Sequence, residues 1–267
     1  MLLHSRETGL GGKKLSETLS AWDLPSAQKK WTIRESGFVT VAWSADESQL
    51  LWSRQDSPNQ VQRVSAEDGA VQSEWTMEGN VTGLAWSPSG KEWCCVLAVG
   101  DSMTGPISSK VELHGIDGKR LARFGVPDGC DGRYCQPEFS PDGRRLAWAT
   151  YEREHLRGRI FLWDLEAREL LTELVAHEHM ATSLTWNRTG TRLASGSVRG
   201  ALIWEPDSGM SLLTLNRAVT SPLRWSDSGR RLFGTSHTWD TSRGFDHATP
   251  LPSQAFKSLI RRSSGAR

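Results

Sequence analysis

The chain has 267 residues, enough for one large domain or two small ones and for a sizeable buried core. Its 32 Lys plus Arg stand against 31 Asp plus Glu, which excludes a global basic or acidic field of the kind that draws nucleic acid or membrane. Thirteen tryptophans against two tyrosines and seven phenylalanines, with 25 glycines, predict short strands and many turns. No apolar run approaches the roughly 20 residues that span a bilayer. The start, MLLHSRETGLGGKK, lacks the long apolar core of a signal peptide, so a cytoplasmic location is expected.

In chain order, MLLHSR predicts a strand with residues 7–18 as the loop after it. LSAWDLPSAQKKW from Leu19 then gives strand, turn and strand. VAWSADESQLLW from Val41 places an aromatic and a serine before a short turn and an apolar strand. The same form returns as LAWSPSGKEWCCV from Leu84, FSPDGRRLAW from Phe139, LTWNRTGTRLASG from Leu184 and LRWSDSGRRLFG from Leu223. Ser140-Pro141-Asp142-Gly143 has the residues of a type I turn, so Asp142 and Arg144 are expected to shape and solvate a turn. Between these anchors lie second strand–turn–strand units: VQRVSAEDGAVQ, VELHGIDGKRLA, IFLWDLEARELLTEL and ALIWEPDSGMSLLTL.

The anchoring aromatics Trp43, Trp86, Phe139, Trp186 and Trp225 are spaced by 43, 53, 47 and 39 residues. That period brackets the roughly 40–45 residues of a four-stranded propeller blade. With Trp22-Asp23, Trp163-Asp164 and the near match Trp204-Glu205 at strand ends, residues 19–235 resemble the WD40 repeat family in a degenerate form. The resemblance implies an all-β fold: a β-propeller of four-stranded blades, about six of them, incomplete or closed irregularly. Its expected division is a partial first blade in 1–18, the propeller in 19–248 and a basic tail in 249–267. The family's buried network would find three members in His177, Ser195 and Trp204, with Val198-Arg199-Gly200 standing where an Asp belongs. Trp239-Asp240 lies only seven residues beyond Leu232 and reads as coincidence, which leaves the last blade short or irregular. AFKSLI, 255–260, is a candidate strand for completing the first blade.

Enzyme chemistry is not expected. The chain has no Gly-x-Ser-x-Gly elbow, no His-Glu-x-x-His and no Gly-x-x-x-x-Gly-Lys phosphate loop. Four cysteines are too few and too clustered for a disulfide framework. Cys130-x4-Cys135 in VPDGCDGRYCQP lacks two further ligands at zinc spacing and reads as a pair of unliganded loop cysteines. Cys94-Cys95 falls in a strand, and no metal or cofactor is expected.

The expectation is a rigid disc presenting loops to one or more proteins, as a subunit or adaptor of a larger assembly. Its candidate binding rim collects Arg133, Tyr134, His155, Arg157, His177, His179, Arg199 and Arg217, since Tyr and Arg are enriched in binding hot spots. The charged insert YEREHLRGR from Tyr151 joins the second and third strands of its blade on that rim. FKSLIRRSSGAR gives the tail weak potential for nucleic acid, and no membrane is expected. Two other readings are open. The Phe-Ser-Pro-Asp-Gly-Arg form also resembles TolB-type and peptidase-associated propellers, which accompany hydrolytic chemistry. Alternatively, the chain is a truncated repeat protein completed by a partner chain.

Overall fold

The computed structural model describes residues 2–7, 16–23, 25–35, 38–100, 108–127, 130–131, 137–152, 154–155, 157–215, 223–234, 237–240 and 248–250. They form strands in six antiparallel sheets, with no helix among the described residues. Sheet 1 holds β1 (Leu2–Glu7), β2 (Ser16–Asp23) and β3 (Gln28–Glu35). Sheet 2 holds β4 (Phe38–Trp43), β5 (Gln49–Arg54), β6 (Ser57–Ser65) and β7 (Val71–Thr76). In sheet 3 the order is β8 (Asn80–Trp86), β9 (Glu92–Val99), β10 (Ser108–Gly115) and β11 (Arg120–Phe124). Sheet 4 has a divided first strand, β12 (Cys130–Asp131) and β13 (Glu138–Phe139). Both pair with β14 (Arg145–Glu152), which β15 (Arg157–Asp164) and β16 (Glu169–His177) follow. Sheet 5 runs β17 (Ala181–Trp186), β18 (Leu193–Ser197), β19 (Gly200–Glu205) and β20 (Met210–Leu215). Sheet 6 runs β21 (Arg224–Trp225), β22 (Arg231–Phe233), β23 (His237–Asp240) and β24 (Ala248–Pro250).

One turn, used five times, makes the first hairpin of sheets 2 to 6. The serine or asparagine after the anchor aromatic accepts the amide of the residue three along, as Ser140 O does from Gly143 N at 2.8 Å. Its side-chain oxygen also accepts the amide five along: Gln49, Glu92, Arg145, Arg192 and Arg231 donate to Ser44, Ser87, Ser140, Asn187 and Ser226 at 2.9–3.2 Å. The fourth residue must take positive φ, the geometry of a type I turn closed by a left-handed residue. Gly90, Gly143, Gly190 and Gly229 do so at 67–71°, and Glu47 does so at 57° without glycine's freedom.

Strand alternation sends successive residues to opposite faces, so sheets 2 to 5 each pack on the sheet before and the sheet after. Five apolar layers join the six sheets in chain order. On β9, Cys94 and Val96 face sheet 4, whereas Trp93, Cys95 and Leu97 face sheet 2. Indole N–H groups cross these layers. Trp31 and Trp75 on outer strands donate forward to the carbonyls of Ala66 and Asp117 at 3.0 and 3.2 Å. Trp186 and Trp225 on inner strands donate backward to Glu138 and Thr185 at 3.3 and 3.1 Å.

The tryptophan–acid pairs have a local role beside packing. Asp164 Oδ1 accepts the amides of Glu166 and Ala167, both at 2.8 Å, and Asp23 Oδ2 accepts that of Ser26 at 3.1 Å. These bonds cap the turn before the outer strand, as Asx turns do.

Two sequence expectations need correction. Trp239 pairs with Leu232 in the register by which Trp204 pairs with Leu193 and Trp163 with Leu146. Trp239-Asp240 is therefore the Trp-Asp of sheet 6, brought close in sequence by a short β22–β23 connection. β24 gives that sheet four strands, and it runs to Pro250, two residues past the expected boundary. The second correction concerns Cys130, which is a strand residue, buried at 1% exposure. At the N-terminus, β1 pairs with β2, Leu2 opposite Ala21, as MLLHSR predicts. AFKSLI and Cys135 lie outside the described residues.

Candidate functional site

Sheets 4 and 5 bring the described rim candidates His155, Arg157, His179 and Arg199 to one end. The 153–156 connection joins β14 to β15, the second and third strands of sheet 4, and the 178–180 segment leads from β16 into β17. Gly158, near the start of β15, meets the 178–180 segment, where an added Cβ would fall 2.6 Å from the His179 carbonyl oxygen. Glu152, mostly buried at 13% side-chain exposure, gathers the cations of the first loop. It bonds the Arg157 guanidinium, lies 3.0 Å from His155 Nδ1 and 3.6 Å from Arg159 Nη1. The Arg157 contact, followed by the one from His155, holds its carboxyl below the usual range. Arg159 forms a bidentate pair with Glu173, which raises its own pKa, and donates to Cys130 Sγ at 3.6 Å. From the β18–β19 turn, Arg199 Nε donates to Nε2 of His179 on the second loop at 3.0 Å.

His155 and Arg157 keep about half of their side-chain surface open, at 54% and 42%, and Arg199 is exposed. His177 does not share that surface. It is buried at 6% exposure with its Nε2 2.6 Å from Ser195 Oγ, which also accepts the Trp204 indole N–H at 2.8 Å. Burial lowers its pKa to about 4, so the ring is neutral at physiological pH. Arg133, Tyr134 and Arg217 lie outside the described residues. Sequence reading missed Glu152, Arg159 and Glu173, although the Glu152–Arg157 spacing across a tight loop is the signal for a cross-hairpin pair.

A second polar cluster sits inside sheet 3. Glu112, 2% exposed on β10, is opposite Cys95 on β9 and Arg123 on β11. Its Oε1 accepts Arg123 Nε at 2.8 Å and Nη2 at 2.6 Å, with Arg120 Nη1 at 3.3 Å. Its Oε2 lies 3.1 Å from His114 Nε2. His114 Nδ1 is 3.0 Å from the Gly118 carbonyl, and its ring stacks on Trp93 at 4.4 Å. Cys95 Sγ is 4.0 Å from Met77 Sδ, and the ligand atoms of Cys95, Glu112 and His114 all lie within 4.8 Å of one another. Burial pushes the Cys95 thiol well up.

The fold is all-β and propeller-like, built from repeated antiparallel sheets packed face to face. No family model matches the chain. Among solved structures it is similar to a chain of Kuenenia stuttgartiensis hydrazine synthase, with a TM-score of 0.63 and 18% identity over 80% of this chain and 66% of that one. Among curated proteins it is 27% identical over 128 residues to a 66 kDa stress protein of Physarum polycephalum. That match covers 46% of this chain and 20% of the relative, so the chain corresponds to about a fifth of that protein's length. No described helix is long and apolar enough to cross a membrane.

Proposed function

We propose that this chain is a non-catalytic scaffold, a six-bladed WD40-like propeller that presents loops to protein partners within a larger assembly. The observation that carries this reading is the contrast at the end of sheets 4 and 5. Exposed His155 and Arg157 are held by the mostly buried Glu152, and exposed Arg199 by His179, whose backbone packs against Gly158, so cations are displayed on a fixed frame. Rigid display keeps the entropy cost of binding low, and guanidinium groups are strong anchors for carboxylates. The partner surface is accordingly acidic.

The test is recovery of bound proteins by the wild type, by Arg157→Glu with Arg199→Glu, and by Arg230→Glu, a turn residue of sheet 6. Loss of the same partners from the double variant alone, at unchanged melting temperature, supports the reading. Equal recovery by all three removes it.

A further inference from the structure

Sheets 3 and 5 carry different chemistry at equivalent places. In sheet 5, His177 stands four residues before Ala181, Ser195 pairs with Leu202, and Trp204 is opposite Leu193. In sheet 3, Met77 stands four residues before Val81, Cys95 pairs with Glu112, and His114 is opposite Trp93. Ala181 pairs with Ser197 and Val81 with Leu97, so the two frames are in register. Imidazole, hydroxyl and indole in one sheet thus become thioether, thiol and imidazole in the other. The first set closes by hydrogen bonds at 2.6 and 2.8 Å, whereas the second leaves its sulfurs 4.0 Å apart.

His114 carries a second sign. Both of its ring nitrogens face acceptor oxygens, Nδ1 the Gly118 carbonyl and Nε2 the Glu112 carboxylate. A neutral imidazole has a single N–H and satisfies only one of them. If Nδ1–H donates to Gly118, the Nε2 lone pair faces the Glu112 carboxylate 3.1 Å away, a contact of two acceptors that a cation beside both, and beside the Cys95 sulfur, would relieve. Metal-binding histidines are oriented in this way, by a backbone carbonyl on the other nitrogen.

We propose that Met77, Cys95 and His114 form a binding site for one monovalent copper ion. Thioether and thiolate donors favour Cu(I). Metal bonds of about 2.0–2.3 Å to nitrogen and sulfur let one ion bridge the Met77 and Cys95 sulfurs, 4.0 Å apart, and a small shift brings in His114, whose donor nitrogen lies within 4.8 Å of the Cys95 sulfur. Charge selects the same ion. Cu(I) on a thiolate is neutral, and Glu112 is already matched by Arg123 and Arg120. A divalent ion would leave an uncompensated charge in a buried layer or pull Glu112 from its arginines, which is costly. On binding, the Cys95 S–H bond breaks, the proton passes to solvent, and an S–Cu bond forms with no change in oxidation state. Glu112 Oε2, 3.1 Å from Nε2, borders the ion, while Oε1 keeps its bonds to Arg123 and Arg120.

The test is anaerobic titration of the reduced full chain with Cu(I) against bicinchoninate, followed by X-ray absorption at the copper edge. The expected result is one equivalent bound, with sulfur and nitrogen neighbours. Cys95→Ser should weaken binding by about 100-fold or more, and Met77→Leu, which conserves volume, by about tenfold. Absence of binding, binding that survives Cys95→Ser, or displacement of Cu(I) by an equivalent of Zn(II) overturns the site. Should Cys95→Ser fail to fold, Met77→Leu decides, because unchanged affinity there also overturns it.

Discussion

Gly118 lies so close to Trp75 that a Cβ on it would fall 1.9 Å from the indole Nε1. The same indole donates to the neighbouring Asp117 carbonyl, so the turn of sheet 3 is clamped on the outer strand of sheet 2. Gly69 meets Trp31 in the same way, with a closest approach of 3.2 Å. Two demands therefore coincide at Gly118, a φ of +83° and the lack of a side chain. Gly118→Ala is expected to cost about 1–2 kcal/mol for the left-handed backbone and about 1–3 kcal/mol more for overpacking. Gly90→Ala, at φ +67° with nothing within 4 Å, should show the first cost alone. Urea denaturation of the two variants measures the difference.

Glu47 and Arg168 hold φ of 57° and 58° in turns where other sheets use glycine. Glu47→Gly and Arg168→Gly should each stabilise the protein by about 1 kcal/mol, since an L side chain costs about 1–2 kcal/mol there and glycine returns part of it as unfolded-state entropy. A rise in the denaturation midpoint at unchanged slope is the readout.

Ser195→Ala removes the oxygen that joins His177 to Trp204. Both partners stay buried without a bond, at about 1–3 kcal/mol for each unsatisfied group. The expected loss exceeds that of Ser53→Ala, whose hydroxyl makes one long bond of 3.4 Å to the Pro58 carbonyl. Chemical denaturation of the two variants side by side checks the order.

Two groups give stability opposite dependence on pH. His177 protonates near 6.5 when unfolded and near 4 when folded, through burial. Unfolded chains therefore bind the proton first, and the His177 contribution, about 3 kcal/mol, is present above 6.5 and lost as pH falls toward 4. Glu138 is pushed up to about 7 by burial, with Arg224 opposing that shift. Its contribution is present at low pH and lost as pH rises from 4.5 to 7. His177→Gln should make stability fall more steeply with rising pH than in the wild type. Glu138→Gln should make it fall more steeply with falling pH. Denaturation midpoints across pH 4–7.5 test both signs.

The repeat was legible because its turns are local. Ser140 and Gly143 announce their hairpin through side-chain capping and backbone freedom, and neither depends on distant contacts. Trp239 was misjudged because sequence distance stood in for register. Its partner Leu232 is fixed by cross-strand pairing, which tolerates a loop of any length. His114 was harder still. At the register position of a tryptophan it carries another residue type, while the aromatic ring has moved to Trp93 on the adjacent strand. Only alignment on Val81 and Leu97, not motif matching, reveals that Met77, Cys95 and His114 belong together. On the rim, the pairing of Arg199 with His179 depends on how two connections approach, which no single stretch encodes.

The clamps of Trp31 and Trp75 on the next sheet's turn bear on how such a chain can change over generations. Gly118 belongs by sequence to one repeat and by contact to its predecessor, and Gly69 is shared in the same manner. Copying, deleting or exchanging a whole repeat would pair a turn with an outer strand it never met. An indole that fits glycine meets a Cβ, or a glycine is left beside a gap. These repeats are thus not interchangeable tiles, and a viable recombination break falls inside the outer hairpin rather than between sheets.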